Sequence, residues 1–152
     1  MKIYYLAYGS NLNLEEMSKR CHSSKVIGTY NLLGYRLVYK GQSDGYAYLT
    51  IEECEGSFVP LGIFEIDDKD ITYLDIYEGY PELYYKKYID IELDNKMIKG
   101  LIYIMNSEYS YHEPSNYYKN ICIKGYQDFN FDLSILDKAL EDTINNKNKI
   151  LR

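Results

Sequence analysis

Tryptophan is absent from this chain of 152 residues, histidine occurs twice, and proline and cysteine occur three times each. Each shortage removes a class of function. His22 and His112 stand in no H-x-x-x-H or H-E-x-x-H spacing, and Cys21, Cys54 and Cys122 form no C-x-x-C pair. Neither a metal site nor dithiol chemistry is written in such spacings, so we expect no cofactor, no bound metal and reduced thiols. Without a Pro-rich or Gly/Ser-rich run, and without an internal repeat, nothing in the sequence reads as a linker. The expectation is a single domain over residues 1–144, followed by a polar tail at 145–152.

Long apolar runs are missing too. The opening Met1-Lys2-Ile3-Tyr4-Tyr5-Leu6-Ala7-Tyr8-Gly9 has too short an apolar stretch for a signal peptide, and no later segment reaches membrane-spanning length. A cytoplasmic protein is expected. Lys and Arg number 17 against 23 Asp and Glu, for a net charge of -6, and the basic residues are scattered along the chain. That distribution argues against nucleic-acid and anionic-membrane partners, while leaving room for a local pocket that takes a carboxylate.

Tyrosine, by contrast, is abundant, with 20 residues. Its ring suits strands and core edges, and with no basic groove beside them these rings read mainly as packing and not as a stacking platform for ligands. Ile3 to Tyr8 is a β-branched and aromatic run ended by Gly9-Ser10-Asn11, and Asn13, with Glu16 three residues on, can cap a helix through Leu14 and Met17. Tyr30 to Tyr39, Gly45 to Thr50 and Phe58 to Ile66 are strand-like, the last with Pro60 and Gly62 at a bend or edge. Asp67 or Asp68 can cap a short helix through Ile71, Leu74 and Tyr77. Tyr85 to Leu93 and Met97 to Met105 form a hairpin about Asp94-Asn95-Lys96, and Asp132 or Ser134 can start a last helix through Ile135, Leu136, Ala139, Leu140 and Ile144. Many strands without regular strand–helix alternation favour an α+β domain, and their number allows a small mixed β-barrel with short flanking helices.

Two segments can carry chemistry. A Gly9-Ser10-Asn11 turn between strand and helix points backbone N–H groups into one concavity, suited to a carboxylate or phosphate, although such turns also use these residues for conformation alone. The second is Leu74-Asp75-Ile76-Tyr77-Glu78-Gly79-Tyr80-Pro81, where Glu78 stands at a helix end among tyrosines. Such surroundings can lift a carboxyl pKa toward neutrality, while a surface Glu before a Gly stop is the ordinary alternative. Ser10 lies in no G-x-S-x-G motif, and no partner for activating it is readable.

In chain order, Tyr5-Leu6-Ala7-Tyr8-Gly9-Ser10-Asn11-Leu12, Gly45-Tyr46-Ala47-Tyr48-Leu49-Thr50, Leu74 to Gly79 with Tyr84, and Pro114-Ser115-Asn116-Tyr117-Tyr118 with Ile121 and Gly125 form a pattern. It resembles the γ-glutamylcyclotransferase-like, or AIG2-like, family over nearly the whole chain. The resemblance implies a mixed α+β fold around a small barrel whose pocket takes the glutamyl moiety of a small-molecule γ-glutamyl substrate, in a monomer or homodimer. Carried over by position, Tyr8, Gly9, Ser10, Asn11 and Leu12 would hold the glutamyl end, Glu78 would be the catalytic acid/base, and Tyr84 and Tyr118 would contact substrate, with Tyr85 adjacent to Tyr84. Many relatives carry Arg soon after the Tyr84 position, where this chain has Lys86 and Lys87, and Lys does not reproduce a bidentate Arg contact.

The implied reaction is closure of the γ-glutamyl group to 5-oxoproline, with release of the amine. The substrate supplies its own nucleophile, because its α-amine attacks its own γ-carbonyl, so no enzyme nucleophile or metal-bound water is needed. A rival reading is a ligand-binding or regulatory module that keeps the pocket without turnover. From the absence of any metal spacing, activity is expected to survive exhaustive treatment with a chelator; loss on chelation, restored by added metal, would contradict the metal-free reading.

Overall fold

The computed structural model describes residues 1–150. Strand β1 (Lys2–Ala7) is followed by a single 3-10 turn at Ser10–Leu12 and by helix α1 (Leu14–Arg20). Asn13 caps α1 by accepting from Glu16 N at 3.1 Å, the partner its spacing suggests. Two long strands come next, β2 (Lys25–Gly41) and β3 (Ala47–Asp67), then α2 (Ile71–Glu78). The hairpin β4 (Tyr84–Leu93) and β5 (Lys96–Met105) turns at Asp94 and Asn95, both at positive φ as a tight two-residue hairpin requires. A short β6 (Ser110–Tyr111), α3 (Asn116–Asp128) and α4 (Ser134–Ile150) complete the chain.

All strands join one sheet in the order β4-β5-β1-β3-β2-β6. β1 runs antiparallel to β3 and parallel to β5, so the sheet is mixed. It does not close into the expected barrel: β4 and β6 are its two edges, and no ladder joins them among the described residues. The sheet curls far enough to bring Leu93 of β4 over Gly28 of β2, where an added Cβ would lie 2.6 Å from Leu93 Cδ1. A leucine side chain in that seam keeps the backbones at packing distance, beyond the strand spacing of about 4.8 Å that a ladder needs. The fold is therefore α+β with an open mixed sheet and flanking helices.

Other differences concern extent. The strand-like runs at Gly45 to Thr50 and Phe58 to Ile66 belong to one strand, β3, whose pairing with β2 slips between Leu33 and Tyr35 to accommodate Cys54 to Ser57. Pro60 sits where the β1 ladder has already ended at Gly62, so its missing N–H is not needed there. The helix α3, to which the sequence assigns no element, is capped by Ser115 Oγ accepting from Tyr118 N at 3.1 Å. α4 continues through 145–150, part of the stretch read as a polar tail, and Lys147 within it bonds Asp44 at 2.5 Å; residues 151–152 of that stretch lie outside the described residues. Among the described residues no helix is long and apolar enough to cross a membrane.

The core is built from the inward faces of the strands, with Leu6, Leu49, Leu61, Ile63, Ile66 and Ile91 fully buried, and α3 adds Cys122 and Tyr126. Gly125 lets α3 approach the turn after β1 directly: a Cβ there would stand 2.6 Å from Asn13 N and 2.8 Å from Leu12 C. In an open helix Gly→Ala is stabilising by about 1 kcal/mol. Here the contact is with backbone, which cannot swing away, so overpacking of about 1–3 kcal/mol outweighs that gain. Gly125→Ala is accordingly expected to lower the urea midpoint, and a midpoint at or above wild type would show that α3 does not bear on the turn.

Candidate active site

The site begins where β1 stops. Past Ala7 the strands β3 and β5, which flank β1, have no strand between them, and side chains take over the bonding that a strand would have made. Leu49 N donates to Tyr118 Oη at 3.0 Å, and Tyr84 Oη donates to Leu49 O at 2.7 Å. Tyr8 Oη donates to Tyr103 O at 2.6 Å, and Met105 N donates to Thr50 Oγ1 at 3.0 Å. Buried peptide groups are thus satisfied around an opening instead of across it. The opening is a cavity of about 230 Å³.

One wall is the turn after β1. Leu12 N donates to Gly9 O at 3.0 Å and Asn13 N to Ser10 O at 3.1 Å, which shapes Gly9 to Leu12 into a tight cup. Gly9 lies against Leu49 and Tyr118, where a Cβ would meet Leu49 Cβ and Tyr118 Oη at 3.4 Å each. The opposite wall is the end of α2. Gly79 takes the left-handed conformation (φ 64°, ψ 36°), and Tyr80 N returns to Asp75 O at 2.9 Å, so the helix stops with Glu78 as its last residue. The two walls meet through Asn11, whose Nδ2 donates to Glu78 Oε1 at 3.1 Å and to Tyr5 Oη at 2.8 Å. Ser10 Oγ and Tyr77 Oη are 2.7 Å apart, a second tie between turn and helix.

Of the residues singled out in the sequence, Tyr8, Gly9, Ser10, Asn11, Glu78, Tyr84 and Tyr118 all line this cavity. Leu12 does not. Its side chain turns into the core, against the faces of Gly62 and Gly125. Tyr84 is buried and Tyr85 is exposed, so the strand's alternation selects the first of that pair. Lys86 is engaged elsewhere, with Nζ 2.9 Å from Asp75 Oδ2 and 4.3 Å from the Tyr80 ring centre.

Sequence reasoning left several site residues unassigned. Tyr5, Tyr48, Tyr77 and Tyr103 also line the cavity, so tyrosines are its principal wall material as well as strand packing. Tyr103 Oη is fixed by donating to Asp75 Oδ1 at 2.6 Å. Arg20, at the end of α1, donates through Nη1 to Asn11 Oδ1 and lies with its Cζ 3.5 Å from the centre of the Tyr77 ring. The helical spacing from Glu16 to Arg20 was a legible signal of an ion pair, found here at 3.4 Å, but nothing local pointed Arg20 at the site.

The electrostatics follow from how deeply these side chains are packed. Burial pushes the Glu78 carboxyl from its ordinary 4.5 to about 7, with the Arg20 charge and the Tyr5 hydroxyl pulling against that rise. Burial likewise drives Tyr5, Tyr8, Tyr84 and Tyr118 well above 10, so these phenols stay neutral donors wherever the protein is folded. Among the described residues Glu78 is the lone carboxyl of the lining, poised to exchange a proton near neutral pH. Among the described residues no cluster of His, Cys, Asp and Glu is arranged to hold a metal ion.

A raised carboxyl has a signature in stability. Between pH 4.5 and about 7 the folded state binds a proton at Glu78 that the unfolded chain has lost, so this group's contribution to stability falls as pH rises through that window. Glu78→Gln never ionises. Relative to wild type it is expected to gain on the order of 1–3 kcal/mol between about pH 5 and about pH 8, read from urea unfolding at each pH. A difference between the two proteins that stays flat with pH would mean the carboxyl is not displaced.

Comparison with known proteins bears on the family and the fold. Residues 5–120 match the family model described as gamma-glutamyl cyclotransferase, AIG2-like. No curated protein sequence matches the chain. Among solved structures, one named gamma-glutamyl cyclotransferase superposes with a TM-score of 0.77 at 23% identity, over 91% of this chain and 86% of the other. An uncharacterised protein from Homo sapiens gives 0.76 at 24% identity over 91% and 86%. An AIG2-like protein from Mus musculus gives 0.58 at 18% over 72% and 80%. At these identities the superpositions speak to the fold, and the family follows from the match to its model over most of the length: this chain belongs to the AIG2-like gamma-glutamyl cyclotransferase family.

Proposed function

We propose that this protein is a γ-glutamylcyclotransferase, converting the γ-glutamyl group of an amine, amino acid or peptide conjugate to 5-oxoproline and releasing the amine. The observation that carries the reading is one carboxyl, Glu78, with a near-neutral pKa at a small cavity, hydrogen-bonded by Asn11. The cavity, at about 230 Å³, is smaller than the roughly 300–1,000 Å³ of pockets for drug-sized ligands. That size suits a glutamyl group with the remainder of the conjugate outside.

In the proposed reaction the Glu78 carboxylate accepts a proton from the substrate α-ammonium. The freed amine attacks the γ-carbonyl carbon, forming the ring C–N bond and a tetrahedral centre. Collapse of that centre breaks the original amide C–N bond and Glu78 returns its proton to the departing nitrogen. The carboxylate so regenerated takes the surplus proton from the ring nitrogen, cationic since the attack, and passes it to the released amine, which leaves as an ammonium beside an uncharged lactam. Holding amine and carbonyl in one cup makes the attack intramolecular, which by itself supplies a large effective concentration. The opening turn of the 3-10 helix leaves the N–H groups of Ser10 and Asn11 without intrahelical acceptors, available for the α-carboxylate or for the carbonyl oxygen. The neutral phenols of Tyr84 and Tyr118 position the glutamyl chain without adding charge.

The test is release of 5-oxoproline from a panel of γ-glutamyl amines, dipeptides and glutathione. Glu78→Gln is expected to reduce turnover by at least about 10²-fold, while the fold and 5-oxoproline binding persist. Glu82→Gln, at an exposed carboxyl a few residues away, is expected to change little. Asp75 is a poorer control because it braces Tyr103 and Lys86. A folded Glu78→Gln protein that cyclises at the wild-type rate would refute the mechanism; binding of 5-oxoproline with no turnover of any panel member would instead favour the binding-module reading.

A further inference from the structure

We propose that Arg20 is the positioning residue for Glu78: its guanidinium locks the Asn11 amide in the one orientation that donates to the carboxylate, and braces Tyr77 immediately before it. The inference rests on the cyclotransferase reading for its kinetic consequences, while its structural part stands apart from that reading.

The geometry is a clamp on both walls at once. Nη1 of Arg20 donates to Asn11 Oδ1, on the turn after β1. The guanidinium plane covers Tyr77 of α2, with Cζ 3.5 Å from the ring centre. Nη2 is held from behind by Glu16 Oε2 at 3.4 Å, and the Arg20 side chain is only 14% exposed. An amide has a donor end and an acceptor end. With Arg20 claiming the oxygen of Asn11, the NH₂ must face Tyr5 Oη and Glu78 Oε1; the flipped amide would set NH₂ against guanidinium and carbonyl oxygen against carboxylate. Arg20 therefore chooses the orientation that favours ionised Glu78.

The titratable groups facing Glu78 are Tyr5 from β1, Tyr8 just past its end, Arg20 from α1, Tyr77 from α2, Tyr84 from β4 and Tyr103 from β5. Every one of those phenols is raised above its ordinary range and stays uncharged at neutral pH. Asp75, three residues before Glu78, is neutralised by Lys86 at 2.9 Å. Arg20 is thus the fixed charge opposing the effect of burial on this carboxyl. Lysine would supply the charge but not the planar fork that bonds one wall and stacks on the other.

Two substitutions separate charge from shape. Arg20→Gln removes the charge and keeps a side chain able to bond Asn11; the Glu78 carboxyl, followed by carbon-13 NMR of Glu-labelled protein, is expected to titrate at least about half a pH unit higher than in wild type. Arg20→Lys keeps the charge and loses the fork; its titration midpoint should stay near wild type while kcat falls about tenfold and KM changes less than about threefold. A folded Arg20→Gln protein with an unmoved midpoint overturns the proposal, as does an Arg20→Lys protein with wild-type kcat. Should Arg20→Gln fail to fold, Arg20→Lys still decides through kcat. If wild type releases no 5-oxoproline while the Arg20→Gln midpoint still rises, the cyclotransferase reading has failed and the positioning role of Arg20 has not.

Discussion

The hydrogen bond from Asn11 to Glu78 joins positions 67 residues apart, and much of the chain between them serves to make it possible. A carboxyl withdrawn from water is costly in its ionised form and is tolerated only where donors are supplied to it. Here they come from a turn that must be tight, next to a helix that must end at a fixed residue. The left-handed Gly79 fixes where α2 ends. The N-cap Asn13 fixes where α1 begins, and its Nδ2 reaches Ile121 O of α3 at 3.3 Å, so the turn is tied to three helices within four residues.

Opposing requirements are visible in the same region. Stability alone would favour a dry site without a charge, whereas proton exchange near neutrality needs a carboxyl that is neither fully solvated nor permanently protonated. The tyrosine walls enclose the carboxyl without introducing a competing charge, and the Arg20 guanidinium moderates the outcome. Lys86 is removed from this balance by its pairing with Asp75.

Much of this was legible in the sequence. Strand β1, the capped α1, the β4–β5 hairpin and α4 announce themselves through alternation, capping residues and helical period. The order of motifs identified the family and brought most of the cavity residues together. Leu12 parts from its neighbours in the motif, its side chain packing into the core, because a 3-10 turn of three residues sends adjacent side chains in different directions. α3 was unmarked because its buried face is Tyr118, Cys122, Gly125 and Tyr126, right in spacing but without the aliphatic residues that make a helical stripe obvious. The open sheet was not foreseeable from strand number, since closure depends on whether a single seam holds hydrogen bonds or, as between Gly28 and Leu93, a side chain. Arg20 is the clearest loss, for its significance lies wholly in which elements meet.

The end of β1 at Ala7 leaves the Leu49 peptide bonded on both its N–H and its C=O to phenol hydroxyls, so that two side chains impersonate a missing strand. A ligand in this site therefore occupies a vacancy in the sheet, walled in part by groups already bonded to the scaffold, since the Tyr8 and Tyr84 hydroxyls donate to Tyr103 O and Leu49 O. Its polar atoms must meet the donors and acceptors that remain, and a compound of the right size with those atoms in the wrong places would leave them unpaired. Selectivity in such a vacancy comes from refusal more than from attraction.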